Sequence, residues 1–478
     1  MEDAPAVAPG ERPRVGLVAG PLIAIAMSAA GAPEGFTDAA WRTAAVAAMM
    51  ATWWMTEAVP VWVTALLPAA LFPLAGISDV KSTAASYANP VLALFLGGFL
   101  LAAAMRTHRL HRRLALRLLT LAGTRPRRVV LGFMVATAFL SAWVSNTATA
   151  AMMIPLAESV ARLAGDEAEG FGKSLILGVA YAASIGGLAT LVGTPPNALL
   201  AGFLAETYDI ELGFGRWMLL GVPLVVVLLP IAWWLLVRVL APVRIASLPG
   251  GEDLVRREMA GLGPISPAER SVALVFAATA LAWTFRPLLE RVVPGLSDAG
   301  IGLLAGIVLF LLPAGGGKRL LDAGAVRQVP WDVLLLFGGG LALAAAFRTT
   351  GLATNLGELL SFAHAWPLPA LMVAVTAILI FLTELTSNTA STAAFLPVIG
   401  ALAIGVGVGP LWLTVPAALA ASCAFMLPVA TPPNAIAFAT GRITIPEMAR
   451  AGLLLNVVFL FLVPAIAWVA LAWLPIVP

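Results

Sequence analysis

The sequence Ser145-Asn-Thr-Ala-Thr149 lies near the middle of the apolar stretch Val129–Ala157. The same pattern returns 242 residues later as Ser387-Asn-Thr-Ala-Ser391. Lipid cannot satisfy the backbone groups of an irregular polar segment, so such a segment must be buried in protein or line a cavity. We therefore expect the chain to fold around these two stretches.

The match extends outward from both stretches. Upstream, and at the same offset, the segments beginning at Val91 and Val333 share the pattern Val-Leu-x-Leu-Phe-x-Gly-Gly, and Arg106 corresponds to Arg348. Downstream, Thr-Pro-Pro-Asn-Ala occurs at residues 194–198 and again 237 residues later. Matches in the same order along the chain indicate an internal duplication. Within a single membrane unit covering residues 1–478, we predict a first repeat at 43–240, a cytoplasmic linker at 241–270 and a second repeat at 271–478.

Composition predicts an all-α integral membrane protein. Hydrophobic residues make up 60% of the chain and charged residues 11%, whereas soluble domains carry about 25% charged residues. Long apolar runs approach the length that crosses a membrane: Val15–Ala30, Ala44–Pro60, Val91–Met105, Trp217–Val237, Ser271–Phe285, Gly302–Pro313, Trp331–Phe347 and Leu453–Leu474.

Arg12 and Arg14 before the first run also fit a secretory signal, but we interpret that run as an uncleaved first span. The single cysteine excludes an internal disulfide and a cysteine metal site. The basic residues lie scattered between apolar runs, which is typical of headgroup anchors rather than of a nucleic-acid interface.

Charge favours one topology. If each Ser-Asn-Thr segment enters and leaves the membrane on the same side, 22 of the 28 Lys and Arg residues lie on one face, which by the positive-inside rule is cytoplasmic. If both segments cross as single kinked spans, the division becomes 16 to 12. The first arrangement predicts a cytoplasmic N-terminus, a cytoplasmic-side hairpin at 129–160 and an outer-side hairpin at 369–400. Together with about 11 transmembrane helices, these re-entrant helical hairpins form an inverted repeat.

The repeated polar residues suit both an anion and a cation. Prolines in the segments Gly193–Asn197 and Ala430–Asn434 predict broken helices, and transporters place substrates at such breaks. Because neither hairpin tip carries Lys or Arg, a bound anion must be held by helix N-termini, hydroxyls and the amides of Asn146 and Asn388. Hydroxyl, amide and backbone oxygens suit sodium. Of the acids within apolar segments, Glu57 has no assigned role. We interpret Glu384 either as a coupling group or as a side chain that pairs with a neighbouring helix or snorkels to the membrane surface.

The chain resembles the divalent-anion/sodium symporter family in both motif pairs and in Trp53-Trp-Met-Thr-Glu-Ala-Val-Pro60. That family contains sodium-coupled dicarboxylate, citrate and sulfate carriers and some exchangers. The resemblance implies a homodimer in which a transport domain moves against a rigid scaffold, as an elevator. It also implies that the two Ser-Asn-Thr motifs contact the substrate and that two sodium ions bind beside them.

The resulting site comprises two groups of residues. The predicted substrate-binding residues are Ser145, Asn146, Thr147, Thr194, Pro195, Ser387, Asn388, Thr389, Thr431 and Pro432. The resemblance implies one sodium site among Ser141, Ser145, Asn146 and Gly193, and a second among Thr383, Thr386, Asn388 and Ala430.

These expectations predict a multi-pass carrier of the plasma (inner) membrane that takes up di- or tricarboxylates of the succinate, malate and fumarate class by sodium symport. Sodium ions serve as coupling ions and no other cofactor is predicted. A sulfate or other inorganic-anion carrier, a dicarboxylate exchanger and a proton-coupled organic-acid carrier remain open alternatives. An enzyme is not predicted, because His108, His111 and His364 all lie away from the motifs.

Overall fold

Helices form nearly all of the regular structure of the chain. The structure is a computed structural model that describes residues 14–165, 168–245, 247–248 and 251–473. One antiparallel hairpin, β1 (Pro313–Gly315) with β2 (Lys318–Arg319), is the exception within these residues. The predicted helical fold is confirmed at this level, while Arg12 and the last residues of the second repeat lie outside the described part of the chain.

The helices of the first half fall in this order: α1 (Arg14–Ala30), α2 (Asp38–Thr56), α3 (Val61–Thr64), α4 (Leu67–Leu74), α5 (Val80–Ser86), α6 (Pro90–Thr107), α7 (Leu110–Thr120), α8 (Pro126–Ser141), α9 (Asn146–Leu163), α10 (Glu169–Gly187), α11 (Pro195–Tyr208) and α12 (Phe214–Leu235), which continues as a π-helical turn (Leu236–Leu240).

The second half continues with α13 (Gly251–Gly261), α14 (Pro267–Thr284), α15 (Arg286–Leu289), α16 (Asp298–Leu311), α17 (Trp331–Thr349), α18 (Leu352–Leu359), α19 (Leu368–Thr383), α20 (Asn388–Gly405), α21 (Leu411–Ala420), α22 (Pro432–Ala439) and α23 (Ile445–Trp473). Two 3₁₀ helices, Ala323–Gln328 and Ser361–Ala365, lie between them.

Among the described residues, five helical segments are long and apolar enough to cross a membrane: Val80–Thr107, Phe214–Leu240, Trp331–Thr349, Asn388–Gly405 and Ile445–Trp473. The first of them joins α5 and α6. Shorter apolar helices accompany them: Val15–Ala30, Val61–Leu74, Asp298–Leu311, Leu368–Thr383 and Leu411–Ala420. The chain therefore has the helices of a multi-pass membrane protein.

The serine of each Ser-Asn-Thr motif starts a helix. Ser145 is the N-cap of α9, and its hydroxyl accepts a hydrogen bond from the backbone N–H of Ala148. Ser387 is the N-cap of α20 and accepts from Ala390 N–H. Serine is favoured at this position because its oxygen satisfies a donor that the first helical turn leaves unpaired. The asparagine is consequently the first residue of each helix.

The two Thr-Pro-Pro-Asn motifs also start helices. Thr194 and Thr431 are N-caps with almost the same backbone, φ −144° and ψ 142° for the first and φ −144° and ψ 148° for the second. The prolines occupy the first turn, where a missing N–H costs no hydrogen bond. The breaks therefore lie N-terminal to the prolines, in residues 188–194 and 421–431. This corrects the sequence prediction, which centred the breaks on the prolines themselves.

Packing gathers these helix starts together. The first pair, α8 and α9, packs against α10, and α22 contacts both α9 and α10. The second pair, α19 and α20, packs against α21, while α20 also contacts α11 and α17. On another side of the molecule α6 crosses α16 so closely that a Cβ added at Gly97 would lie 2.3 Å from the backbone of Gly302. Such contact holds α6 at a defined distance from its neighbour.

Candidate functional site

Four helix N-termini open onto one cavity of about 660 Å³. They belong to α9, α11, α20 and α22, the helices that the two motif pairs begin. The starts of α9 and α20 present unpaired N–H groups, whereas α11 and α22 begin with two prolines and contribute the positive end of a helix dipole. An anion bound here lies near the positive ends of four helices.

The cavity brings the predicted substrate-binding residues together. Its lining includes all of them: Ser145, Asn146, Thr147, Thr194, Pro195, Ser387, Asn388, Thr389, Thr431 and Pro432. Of the residues predicted for sodium, Gly193, Thr386 and Ala430 also line it. Ser141 and Thr383 do not, because both are fully buried behind the cavity wall at the ends of α8 and α19.

Oxygen atoms converge around Gly187 in the first half. The Ser141 hydroxyl lies 2.6 Å from Asn146 Oδ1 and 2.6 Å from the carbonyl oxygen of Ala183. A Cβ added at Gly187 would lie 2.8 Å from Asn146 Oδ1 and 3.2 Å from the carbonyl oxygen of Gly193. A glycine thus leaves space where side-chain and backbone oxygens meet. This set of oxygens without a carboxylate is the chemistry that transporters use for sodium.

The corresponding oxygens of the second half are arranged differently. Asn388 Oδ1 is buried and accepts no hydrogen bond from any described residue. The Thr386 hydroxyl lies 2.7 Å from that of Ser391. Thr383 donates to the carbonyl oxygen of Leu379 at 2.8 Å, within its own helix, which leaves its lone pairs free to act as a ligand. At a buried acceptor without a donor, a bound cation or a hydrogen-bond donor of the substrate contributes the most binding free energy.

Two asparagines that the sequence did not single out hold the broken helices. Asn197 Nδ2 donates to the carbonyl oxygens of Gly187 (3.0 Å) and Thr190 (2.8 Å). In the second half, Asn434 Nδ2 donates to the carbonyl oxygens of residues 424 (3.2 Å) and 427 (3.1 Å), at the same offset of 237 residues. Non-helical backbone at membrane depth needs such partners. The repeated fourth position of Thr-Pro-Pro-Asn was the sequence signal for this role.

Glu384 holds the second broken segment through its carboxylate. This buried side chain accepts hydrogen bonds from the backbone N–H groups of residues 425, 426 and 427 and from Asn456 Nδ2 at 2.7 Å. Charge-assisted bonds of this kind are about twice as strong as neutral ones. In the first half Ala142 occupies the corresponding position, and its carbonyl oxygen instead accepts from the Thr190 hydroxyl. Of the roles that the sequence left open, the structure shows the pairing of Glu384 with a neighbouring segment and with Asn456 of α23.

Charged side chains from outside the motifs also line the cavity. They are Glu57, Arg106 and Asp332. The backbone of Glu57 ends α2 in the left-handed region at φ 46°. Arg106 lies in the last turn of α6. The helix starts themselves carry no Lys or Arg, so a basic group reaches the cavity only from its wall.

Sequence comparison identifies relatives along nearly the whole chain. Residues 13–476 match the family described as the sodium:sulfate symporter transmembrane region. A sodium-dependent dicarboxylate transporter, SdcS, of Staphylococcus saprophyticus is 39% identical over 469 residues, which cover 95% of this chain and 90% of the relative. SdcS of Staphylococcus aureus strain USA300 is 40% identical over 462 residues, covering 93% of this chain and 88% of that relative.

Structural comparison finds the same fold in more distant transporters. The YdaH transporter of Alcanivorax borkumensis superposes with a TM-score of 0.55 at 15% identity, over 83% of this chain and 89% of that one. MtrF of Neisseria gonorrhoeae superposes with a TM-score of 0.59 at 15% identity, over 84% of each chain. The match to the family along the chain and the identity to SdcS confirm the resemblance seen in the motifs. The chain belongs to the sodium:sulfate symporter family.

Proposed function

We propose that the protein is a secondary active transporter that carries di- or tricarboxylate anions of the succinate, malate and fumarate class into the cell together with sodium ions. The observation that carries this proposal is the meeting of four helix N-termini at one cavity. The two SdcS relatives are named sodium-dependent dicarboxylate transporters, and these names support the same substrate class.

The cavity suits an anion with two separated charges. The starts of α9 and α20 each bring a Ser-Asn-Thr motif to it. One carboxylate interacts with Ser145, Asn146 and Thr147, and the other with the matching residues of the second half. Each helix N-terminus contributes about 0.3–1 kcal/mol, and up to about 2 kcal/mol where it is partly buried. Several such contributions are needed, because no basic side chain lies at the helix starts.

Sodium binding couples to substrate binding through the asparagines. Asn146 Oδ1 belongs to the oxygen cluster around Gly187, while the same residue lines the cavity. A sodium ion in that cluster orients the amide and adds positive charge next to the anion. Each ligand then raises the affinity for the other by the same factor. Asn388 performs this role in the second half with Thr383, Thr386 and Ala430.

Helix lengths support a membrane arrangement with re-entrant hairpins. The helices α8 and α19 have 16 residues each, and α9 and α20 have 18 residues each. The length of about 24 Å for α8 and α19 falls short of a bilayer core of about 30 Å, and that of about 27 Å for α9 and α20 is close to it. Although α20 is long and apolar enough to cross a membrane, it begins at the cavity beside three other helix starts. We therefore infer two re-entrant hairpins, 129–160 and 369–400, opening to opposite sides.

The hairpins complete an inverted repeat with about 11 spans, a cytoplasmic N-terminus and the linker at 241–270. Moving the cavity from one face of the membrane to the other requires one body to slide past another. The repeats 43–240 and 271–478 supply the symmetry for such an elevator movement, and a homodimer supplies a fixed scaffold.

Uptake into proteoliposomes tests which substrate is transported and which ion is coupled to its transport. We expect labelled succinate to accumulate under an inward sodium gradient and to be displaced by unlabelled malate. Equal uptake with potassium or choline in place of sodium would instead indicate exchange or proton coupling. Stronger competition by sulfate than by malate would assign the inorganic anion, which the family description names, and citrate as a third competitor separates tricarboxylate from dicarboxylate carriers.

A further inference from the structure

Arg106 places a guanidinium on the wall of the cavity. It lies in the last turn of α6, is partly buried, and is the basic residue among the described residues that line the cavity. Its guanidinium forms no hydrogen bond or ion pair with another described residue. A partly buried charge without a partner is costly unless it faces water or a mobile counterion. The cavity is the place where such a counterion can bind.

The repeat supplies an internal comparison. Arg348 corresponds to Arg106 and lies at the same place near the end of α17. Its guanidinium, however, forms an ion pair with Glu206, with 3.4 Å between Nη2 and Oε1, and it does not line the cavity. The duplication therefore kept both arginines but neutralised only one of them within the protein. The arginine that stays unpaired is the one that faces the anion pathway.

The acidic residues of the cavity do not neutralise Arg106. Glu57 and Asp332 line the same cavity and are exposed, yet neither forms an ion pair with it. Both carboxylates repel a dianion that enters the cavity. A positive charge on the cavity wall offsets that repulsion and gives an anion one favourable point of contact outside the helix starts.

We propose that Arg106 is a carboxylate-binding residue of the cavity wall, which binds one carboxylate of the substrate on its path between the helix starts and the membrane surface. This inference rests on the proposed function, since it assumes a carboxylate substrate. A guanidinium matches a carboxylate with two parallel N–H···O bonds, which an ammonium cannot reproduce. The close crossing of α6 with α16 at Gly97 and Gly302 positions the helix that carries the arginine.

Kinetics of charge variants test this role. Arg106→Gln should raise the KM for the transported anion about tenfold, as expected for a lost hydrogen bond to a charged group, and leave the sodium dependence unchanged. Arg106→Lys should recover part of the affinity. Arg348→Gln is the matched control and should stay within about twofold of the wild type, because exposed ion pairs contribute little.

Chemical modification of a cysteine at position 106 distinguishes an effect of charge on substrate binding from an effect of the substitution on folding. In Arg106→Cys, a methanethiosulfonate reagent that adds an ammonium group should lower the KM again, and one that adds a sulfonate should raise it further. The wild type is the control for both reagents, since its only cysteine, Cys423, is buried.

A wild-type KM in Arg106→Gln, or equal effects of the two reagents on Arg106→Cys, would overturn the inference while leaving the proposed function intact. A wild type that carries an inorganic anion and no carboxylate would overturn both. If Arg106→Gln fails to fold, the comparison of the two reagents on Arg106→Cys decides whether the charge at this position affects substrate binding.

Discussion

At the residue scale, Asn146 and Asn388 occupy matching positions with different partners. Asn146 Oδ1 accepts from the Ser141 hydroxyl, whereas Asn388 Oδ1 has no donor among the described residues. Removing either amide leaves no protein donor stranded, because the Ser141 hydroxyl keeps the carbonyl oxygen of Ala183 as an acceptor. Alanine at either position therefore removes ligand contacts without removing contacts that the fold needs.

We accordingly expect Asn146→Ala and Asn388→Ala each to abolish succinate uptake with normal expression and dimerisation. Each lost hydrogen bond to a charged ligand costs about 1.5–3 kcal/mol. Uptake together with size-exclusion chromatography measures both properties. Asn355→Ala is the control, because the Asn355 side chain donates a hydrogen bond to the carbonyl oxygen of Gly35 and lies outside the cavity. Near-normal uptake in either test variant would remove that asparagine from the site.

Glu384 has the opposite character, since its carboxylate supports the protein backbone. Glu384→Gln keeps one acceptor oxygen and turns an amide N–H₂ toward backbone donors. Each buried donor left unpaired costs about 1–3 kcal/mol, so we expect a clearly lower unfolding temperature and weaker sodium-dependent uptake. Glu206→Gln, which breaks the partly exposed ion pair with Arg348, is the control and should unfold close to the wild-type temperature. An unchanged unfolding temperature in Glu384→Gln would show that these bonds do not support the broken segment.

At the scale of elements, helix starts form the proposed site. Local chemistry places them, because Ser145 and Ser387 cap α9 and α20 while prolines occupy the first turns of α11 and α22. Each of these helices contributes its N-terminus to the cavity, and these termini carry no Lys or Arg. The direction in which each helix pair enters the membrane therefore decides from which side the site is reached.

That direction can be measured with single cysteines. Arg128 lies in the first turn of α8 and Pro369 in the first turn of α19, and both are exposed. We expect Arg128→Cys to react with an impermeant maleimide from the cytoplasmic side only, and Pro369→Cys from the outside only. The buried Cys423 provides an unreactive background. Reaction from the opposite sides would restore the model in which both segments cross the membrane and would contradict the re-entrant hairpins.

At the scale of the whole molecule, the duplication brings two copies of one motif to a single cavity. A monocarboxylate engages one copy and forgoes the contacts of the other. We expect a preference of at least about tenfold for succinate over lactate or acetate, which requires only about 1.4 kcal/mol. Competition of unlabelled acids with labelled succinate measures this ratio.

The transported species should also be the dianion. Lowering the pH toward the second carboxyl pKa of the substrate should then reduce uptake, because protonation removes one of the two charges that the helix N-termini hold. Effective competition by lactate at equal concentration would contradict the two-motif site even with the fold unchanged.

The sequence by itself determined the helical membrane fold, the repeated motifs, the family and the approximate positions of the helix breaks. These features depend on short segments, namely the apolar runs, the Ser-Asn-Thr caps and the prolines, whose physical effects are local. The gathering of the motifs around one centre was also predictable, because irregular polar backbone cannot face lipid.

Only the tertiary structure decided which distant residues complete the site. Ser141 and Thr383 lie behind the cavity wall, Glu384 bonds to a segment about 40 residues away, and Arg106 of α6 reaches the cavity while Arg348 is paired with Glu206. In the sequence both arginines end similar apolar runs and appear equivalent. Their difference arises from packing between helices far apart in the chain, and no local pattern of residues encodes those distances.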